Sequence, residues 1–165
     1  MPKTPLLPPL EACREQALKL LDMRPHSEAE LRRKLAQRQK YSPEDIRAVM
    51  ADLQRLGLVD DHAFARLFCD SLKAQGIGKL KARLKMRTRG LSAALIQETL
   101  ERQWETEDDG ELERAQAVAE RKWRMISRID KPLMNRRQRL ARFLAGRGFS
   151  SEIIGKVLDN HEFRQ

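Results

Sequence analysis

Lys40-Tyr41-Ser42-Pro43-Glu44-Asp45-Ile46-Arg47-Ala48-Val49-Met50 finds a counterpart in Gly90-Leu91-Ser92-Ala93-Ala94-Leu95-Ile96-Gln97-Glu98-Thr99-Leu100. A third copy is Gly148-Phe149-Ser150-Ser151-Glu152-Ile153-Ile154-Gly155-Lys156-Val157-Leu158. The three align without gaps. A bulky apolar residue precedes a serine, isoleucine stands four residues on, and a β-branched and an apolar residue follow. Each serine is placed to accept the free N–H groups at a helix start. The preceding Tyr41, Leu91 or Phe149 is placed to staple the first turn. The isoleucine and the last two positions form one buried stripe. Pro43 suits the first helical position. The serines are 50 and 58 residues apart, which leaves room for about three helices per copy.

Two more helices precede each of these. In the first copy, residues 11–23 carry Ala12, Leu18 and Leu21 and stop before Pro25. Ser27-Glu28-Ala29-Glu30 then reads as a capping box opening a helix through Leu31 and Leu35. In the second copy, Asp60-Asp61 caps a helix with Phe64, Leu67, Phe68 and Leu72 that ends at Gly76; the next carries Leu80 and Leu84 to Gly90. In the third, Asp108-Asp109-Gly110 precedes a helix through Leu112, Ala115, Val118, Ala119 and Trp123. After Asp130-Lys131-Pro132 comes a helix with Leu140, Phe143 and Leu144. The expectation is an all-α chain: a flexible arm over 1–10, with three-helix, helix-turn-helix-like repeats over 11–58, 59–106 and 107–165. Leu31, Phe64, Ile96, Leu140 and Ile154 are expected in the core, and Trp104 and Trp123 are read as packing residues.

Residues 79–88, Lys-Leu-Lys-Ala-Arg-Leu-Lys-Met-Arg-Thr, alternate basic and mostly apolar side chains, a strand period. Their composition favours helix, and the repeat requires one. Leu80, Leu84 and Thr88 or Met86 are then expected to face inward.

The chain has 165 residues, a net charge of +9 and only 5 % aromatics. So few aromatics argue against a large β-sandwich or an aromatic-lined ligand pocket. The charge is concentrated. Residues 76–90 and 131–149 each carry +6 with no acid and residues 24–40 carry +4, so the rest is negative. A general solvated coat needs no such placement. It points to a polyanionic partner or an acidic protein surface. Cys13 and Cys69 read as buried free thiols, which suits a reducing cytosol. No apolar run is long enough to span a membrane, and the expected location is cytoplasmic.

Catalytic patterns are missing from the sequence. His26, His62 and His161 stand apart, and Asp60-Asp61 beside His62 reads as a helix cap rather than a metal site. Gly76-Ile77-Gly78-Lys79 is too short for a phosphate loop and follows a helix. No catalytic residue, metal or cofactor is expected.

Arg24-Pro25-His26-Ser27-Glu28-Ala29-Glu30-Leu31-Arg32-Arg33-Lys34-Leu35 resembles a signature of the RecX family. So do Leu56-Gly57-Leu58-Val59-Asp60-Asp61-His62-Ala63-Phe64-Ala65-Arg66 and Arg139-Leu140-Ala141-Arg142-Phe143-Leu144-Ala145-Gly146-Arg147-Gly148-Phe149. The similarity runs from about residue 12 to the end. It implies three tandem three-helix repeats in an elongated, curved arrangement. It also implies a bacterial regulator that binds RecA and the RecA–DNA filament and inhibits strand exchange, ATP hydrolysis and co-protease activity, in DNA repair and the SOS response. Such a protein acts by binding, needs no cofactor, and is expected here as a monomer. The expected filament contacts are Arg32, Arg33 and Lys34; Lys79, Lys81, Arg83, Lys85, Arg87 and Arg89; and Arg136, Arg137, Arg139, Arg142 and Arg147. These faces also suit weak contact with single- or double-stranded DNA. The family usually has an acid in the stretch Gly78-Lys79-Leu80-Lys81-Ala82-Arg83-Leu84; here there is none. The alternative is a helix-turn-helix-like protein that binds DNA directly, without RecA. A nuclease, a third class, would show metal-dependent cleavage.

Overall fold

The computed structural model describes residues 8–37, 40–104, 110–127 and 132–159. Over these the chain forms α1 (Pro9–Met23), α2 (Glu28–Ala36), α3 (Pro43–Arg55), α4 (Asp61–Ala74), α5 (Lys79–Thr88), α6 (Ala93–Trp104), α7 (Gly110–Ile126), α8 (Leu133–Arg147) and α9 (Ser151–Leu158), with no strand. Residues 1–7 of the expected arm over 1–10, the caps Asp108 and Asp109, Asp130 and Lys131 of the expected breaker, and His161 lie outside the described residues.

Two of the expected serine caps, at Ser42 and Ser150, form. Ser42 Oγ accepts the N–H of Asp45 at 3.0 Å and Ser150 Oγ that of Ile153 at 3.2 Å. Leu91 and Phe149 are buried, and Tyr41 packs against the first core. Thr99 is the polar member of the repeated stripe; its hydroxyl donates to the Leu95 carbonyl at 2.7 Å, which satisfies it inside the core. Helix α1 begins at Pro9 rather than after residue 10, because proline at a first helical position loses no hydrogen bond.

By internal packing the chain divides into two units. One takes residues 1–65 with Thr88–Ser92; the other takes Arg66–Arg87 with residues 93–165. In the first unit α1 and α2 pack on α3. The core joins Cys13 and Ala17 of α1, Leu31 and Leu35 of α2, and Ile46, Val49, Met50 and Leu53 of α3. The α1 stripe is therefore Cys13, Ala17, Leu20 and Leu21, small residues first, which lets α1 approach closely. Leu18, expected inside, lies one residue off this stripe and is exposed.

In the second unit, Ala115, Ala119, Trp123 and Ile126 of α7 pack on Leu140 and Leu144 of α8 and Val157 of α9. Cys69, Leu72, Ala82, Met86, Ile96, Leu100 and Trp104 are also buried. Ile154 is only half-buried, and Leu67 is exposed.

Helix α5 corrects the expectation most clearly. Leu80 and Leu84 are 60 % and 59 % exposed; Met86 faces inward, as one of the expected alternatives, and its buried companion is Ala82. The reason lies at its N-terminus. The N–H groups of Gly78 and Leu80 donate to the carbonyls of Arg147 and Gly148 at 2.9 and 3.1 Å. Free donors at one helix start thus meet free acceptors at another helix end. The backbones touch so closely that a Cβ on Gly78 would lie 2.4 Å from the Gly148 oxygen. One on Gly148, itself at φ +86°, would lie 2.3 Å from Lys81 Cβ. That docking fixes the rotation of α5 and turns Ala82 and Met86 inward.

Candidate anion-binding grooves

Helix ends and one aromatic ring gather cations in the second unit. The C-terminal end of α4 leaves backbone carbonyls without helical partners. Arg147, at the end of α8, answers with Nη1, which donates to the Gln75 carbonyl at 2.6 Å. Lys81 of α5 donates in the same way to the Gly146 carbonyl at 2.6 Å. Both cations also sit where a helix C-terminus favours positive charge. The Arg147 guanidinium and the Lys122 ammonium lie over the Phe143 ring, 5.2 and 5.1 Å from its centre.

Two grooves meet at these residues. One, of about 430 Å³, has Lys73, Arg114, Arg121, Lys122 and Arg147 around Val118, Met125 and Phe143. The other, of about 670 Å³, has Lys81, Lys85, Arg142 and Arg147 beside Ile77 and Phe143. Gln75, Phe143 and Arg147 belong to both. Among the described residues, neither lining contains a carboxylate, an imidazole or a thiol. Such a surface can hold phosphate or carboxylate groups, with arginines able to grip them in forked pairs.

Four of the sequence-predicted residues therefore converge: Lys81, Lys85, Arg142 and Arg147. The others do not join them. Arg83 and Arg87 leave α5 on a different side, and Arg83 donates to Gln97 Oε1 at 2.9 Å. Lys79 opens α5, its backbone N–H held by Glu111 at 2.8 Å. Arg136 and Arg137 are half-buried in the first turn of α8, and Arg139 is exposed a turn later. Arg32, Arg33 and Lys34 belong to the first unit; Arg32 pairs with Glu28 at 2.6 Å.

Arg89 is committed elsewhere in the first unit. The Glu30 carboxylate, 3 % exposed, is gripped by both terminal nitrogens of Arg24 at 2.5 and 3.1 Å and by Arg89 at 2.6 Å. Only half of the expected capping box forms. Ser27 Oγ accepts the Glu30 N–H at 3.1 Å, and the Glu30 side chain turns to the arginines. Burial alone would raise the Glu30 pKa. The Arg24 hydrogen bond and the charges of Arg89 and Arg24 outweigh it and lower the pKa to about 2. Beside it His26 is buried as the neutral Nδ1–H form. Nδ1 donates to the Arg24 carbonyl at 2.8 Å, and Nε2 accepts from Lys34 Nζ at 2.9 Å. Desolvation, aided by the charges of Arg24 and Lys34, lowers its pKa.

Arg114, Arg121 and Lys122 escaped the sequence reading because Glu111, Glu113 and Glu120 bring the net charge of α7 down to +1, and Lys73 because Asp61 and Asp70 balance it and Arg66 on α4. The usable signal was spacing: Arg114 and Arg121 stand seven residues apart, two turns along one helix face. Asp60 is the cap of α4, its Oδ1 accepting the N–H groups of His62 and Ala63. Cys13 and Cys69 are buried and free, and burial pushes the Cys69 thiol up to about 11. No helix among the described residues is long and apolar enough to cross a membrane.

Comparison with known proteins places family models along the whole fold. They match the first three-helix domain of RecX over residues 13–53, the second over 60–100 and the third over 109–158. Among curated proteins, the regulatory protein RecX of Deinococcus radiodurans is 37 % identical over 146 residues; the match covers 87 % of this chain and 65 % of that one. That of Halorhodospira halophila is 35 % identical over 144 residues, covering 87 % and 84 %. The crystal structure of RecX from Lactobacillus salivarius superposes with a TM-score of 0.74 at 18 % identity, covering 91 % of this chain and 94 % of that one. Another RecX crystal structure gives 0.76 at 21 %, covering 92 % and 72 %.

Proposed function

The chain belongs to the RecX family, and from that premise we propose that it binds the RecA filament on single-stranded DNA and inhibits its recombinase, ATPase and co-protease activities. It acts in the cytoplasm by binding, with no reaction of its own. The observation that carries this reading is the pair of adjoining grooves in the second unit, lined by cations and, among the described residues, by no acid. A polymer that combines acidic protein surface with phosphodiester backbone matches that lining. Several cations acting together gain affinity through effective concentration rather than through one strong contact.

The test is RecA-catalysed ATP hydrolysis on single-stranded DNA with the purified chain added. Inhibition at stoichiometric or lower ratios, weakening as salt rises, is expected. Full hydrolysis at several-fold excess of the chain would count against the reading.

A further inference from the structure

On α5 successive residues turn by about 100°, so its ten residues sort into four rows. Ala82 and Met86 face the interior. Lys81 and Lys85 line the larger groove. Leu80 and Leu84 stand one turn apart on the outside, 60 % and 59 % exposed. Arg83 and Arg87 run along the far side of the leucines and are exposed. A single exposed leucine is ordinary. Two in register, with a basic row on each flank and no acid on the helix, form an apolar ridge between two positive rails.

We propose that this ridge is a protein-docking element, inserted into an apolar cleft whose two rims carry carboxylates, on a RecA protomer of the filament. The proposal rests on the filament reading above and adds which part of the chain meets protein rather than DNA. Charge complementarity selects the occupant. A second copy of the chain meeting this face with its own α5 would bring arginines and lysines against their own kind. A phosphodiester backbone would satisfy the rails and leave both leucines in water. A cleft with an apolar floor and acidic rims satisfies both, with leucines at i and i+4 as helix-in-groove anchors.

The test uses Leu80→Gln with Leu84→Gln, which keeps side-chain length, helix propensity and net charge. Both sites are exposed, so helix content by circular dichroism should be unchanged. Binding is measured by fluorescence anisotropy to RecA filaments and to bare single-stranded DNA, and by co-sedimentation with anionic phospholipid vesicles. The double variant should bind filaments roughly tenfold or more weakly and bare DNA as well as the wild type. Equal affinity for filaments would overturn the ridge while the filament reading stands. So would an equal loss on bare DNA, or ridge-dependent sedimentation with the vesicles. A wild-type chain that binds no filament would overturn both together.

Discussion

Glu30 shows how one side chain departs from its sequence signature. The Ser27–Glu30 spacing predicts a reciprocal cap, and the serine half forms, but Arg24 and Arg89 outbid the backbone for the carboxylate. Arg89 follows Glu30 by 59 residues, so no local pattern could reveal the pair. Glu30→Gln should destabilise the protein by about 2–4 kcal/mol in urea unfolding at pH 7. That lies below the cost for a fully enclosed pair, because both arginines keep some solvent. The pH dependence has a definite sign. The native pKa of Glu30 is depressed from 4.5 to about 2, so its contribution is complete above about pH 4.5 and is lost as pH falls through about 2. His26, also depressed, contributes above its ordinary 6.5 and loses that as pH falls through its lowered native value. Unfolding midpoints should therefore drop on acidification from pH 7, and Glu30→Gln should flatten the part below about pH 4.5.

At the scale of a helix, legibility depended on whether the sequence offered one apolar stripe or two. Helices α3 and α6 offered one, and the repeated isoleucine, β-branched residue and apolar partner all point inward there. Helix α5 offered two, Leu80/Leu84 and Ala82/Met86, on opposite sides. Size favours the leucines; the close approach of Gly78 and Gly148, 70 residues apart, selects the other pair. Met86→Ala should cost about 2–4 kcal/mol in thermal or chemical unfolding, whereas Leu84→Ala should cost less than about 1 kcal/mol. The reverse order would mean that the leucines carry the packing. Gly148→Ala combines a left-handed backbone with a 2.3 Å clash and should destabilise by more than about 2 kcal/mol.

Across the molecule, the threefold repeat and the family were readable because caps and staples are local and recur in order. The candidate site was readable only in part. Net charge by segment found Lys81, Lys85, Arg142 and Arg147, since nothing offsets them nearby in sequence. It overlooked α7, whose glutamates reduce the sum to +1 without entering the groove. It also counted Arg89, whose partner lies far back in the chain. The most direct measurement is RecA-catalysed ATP hydrolysis on single-stranded DNA titrated with wild type and with Lys122→Glu combined with Arg142→Glu, two groove cations away from the helix-end hydrogen bonds. Strong inhibition by the wild type, with a half-maximal concentration raised roughly tenfold or more in the variant, is the predicted result. Equal inhibition by both proteins would contradict it.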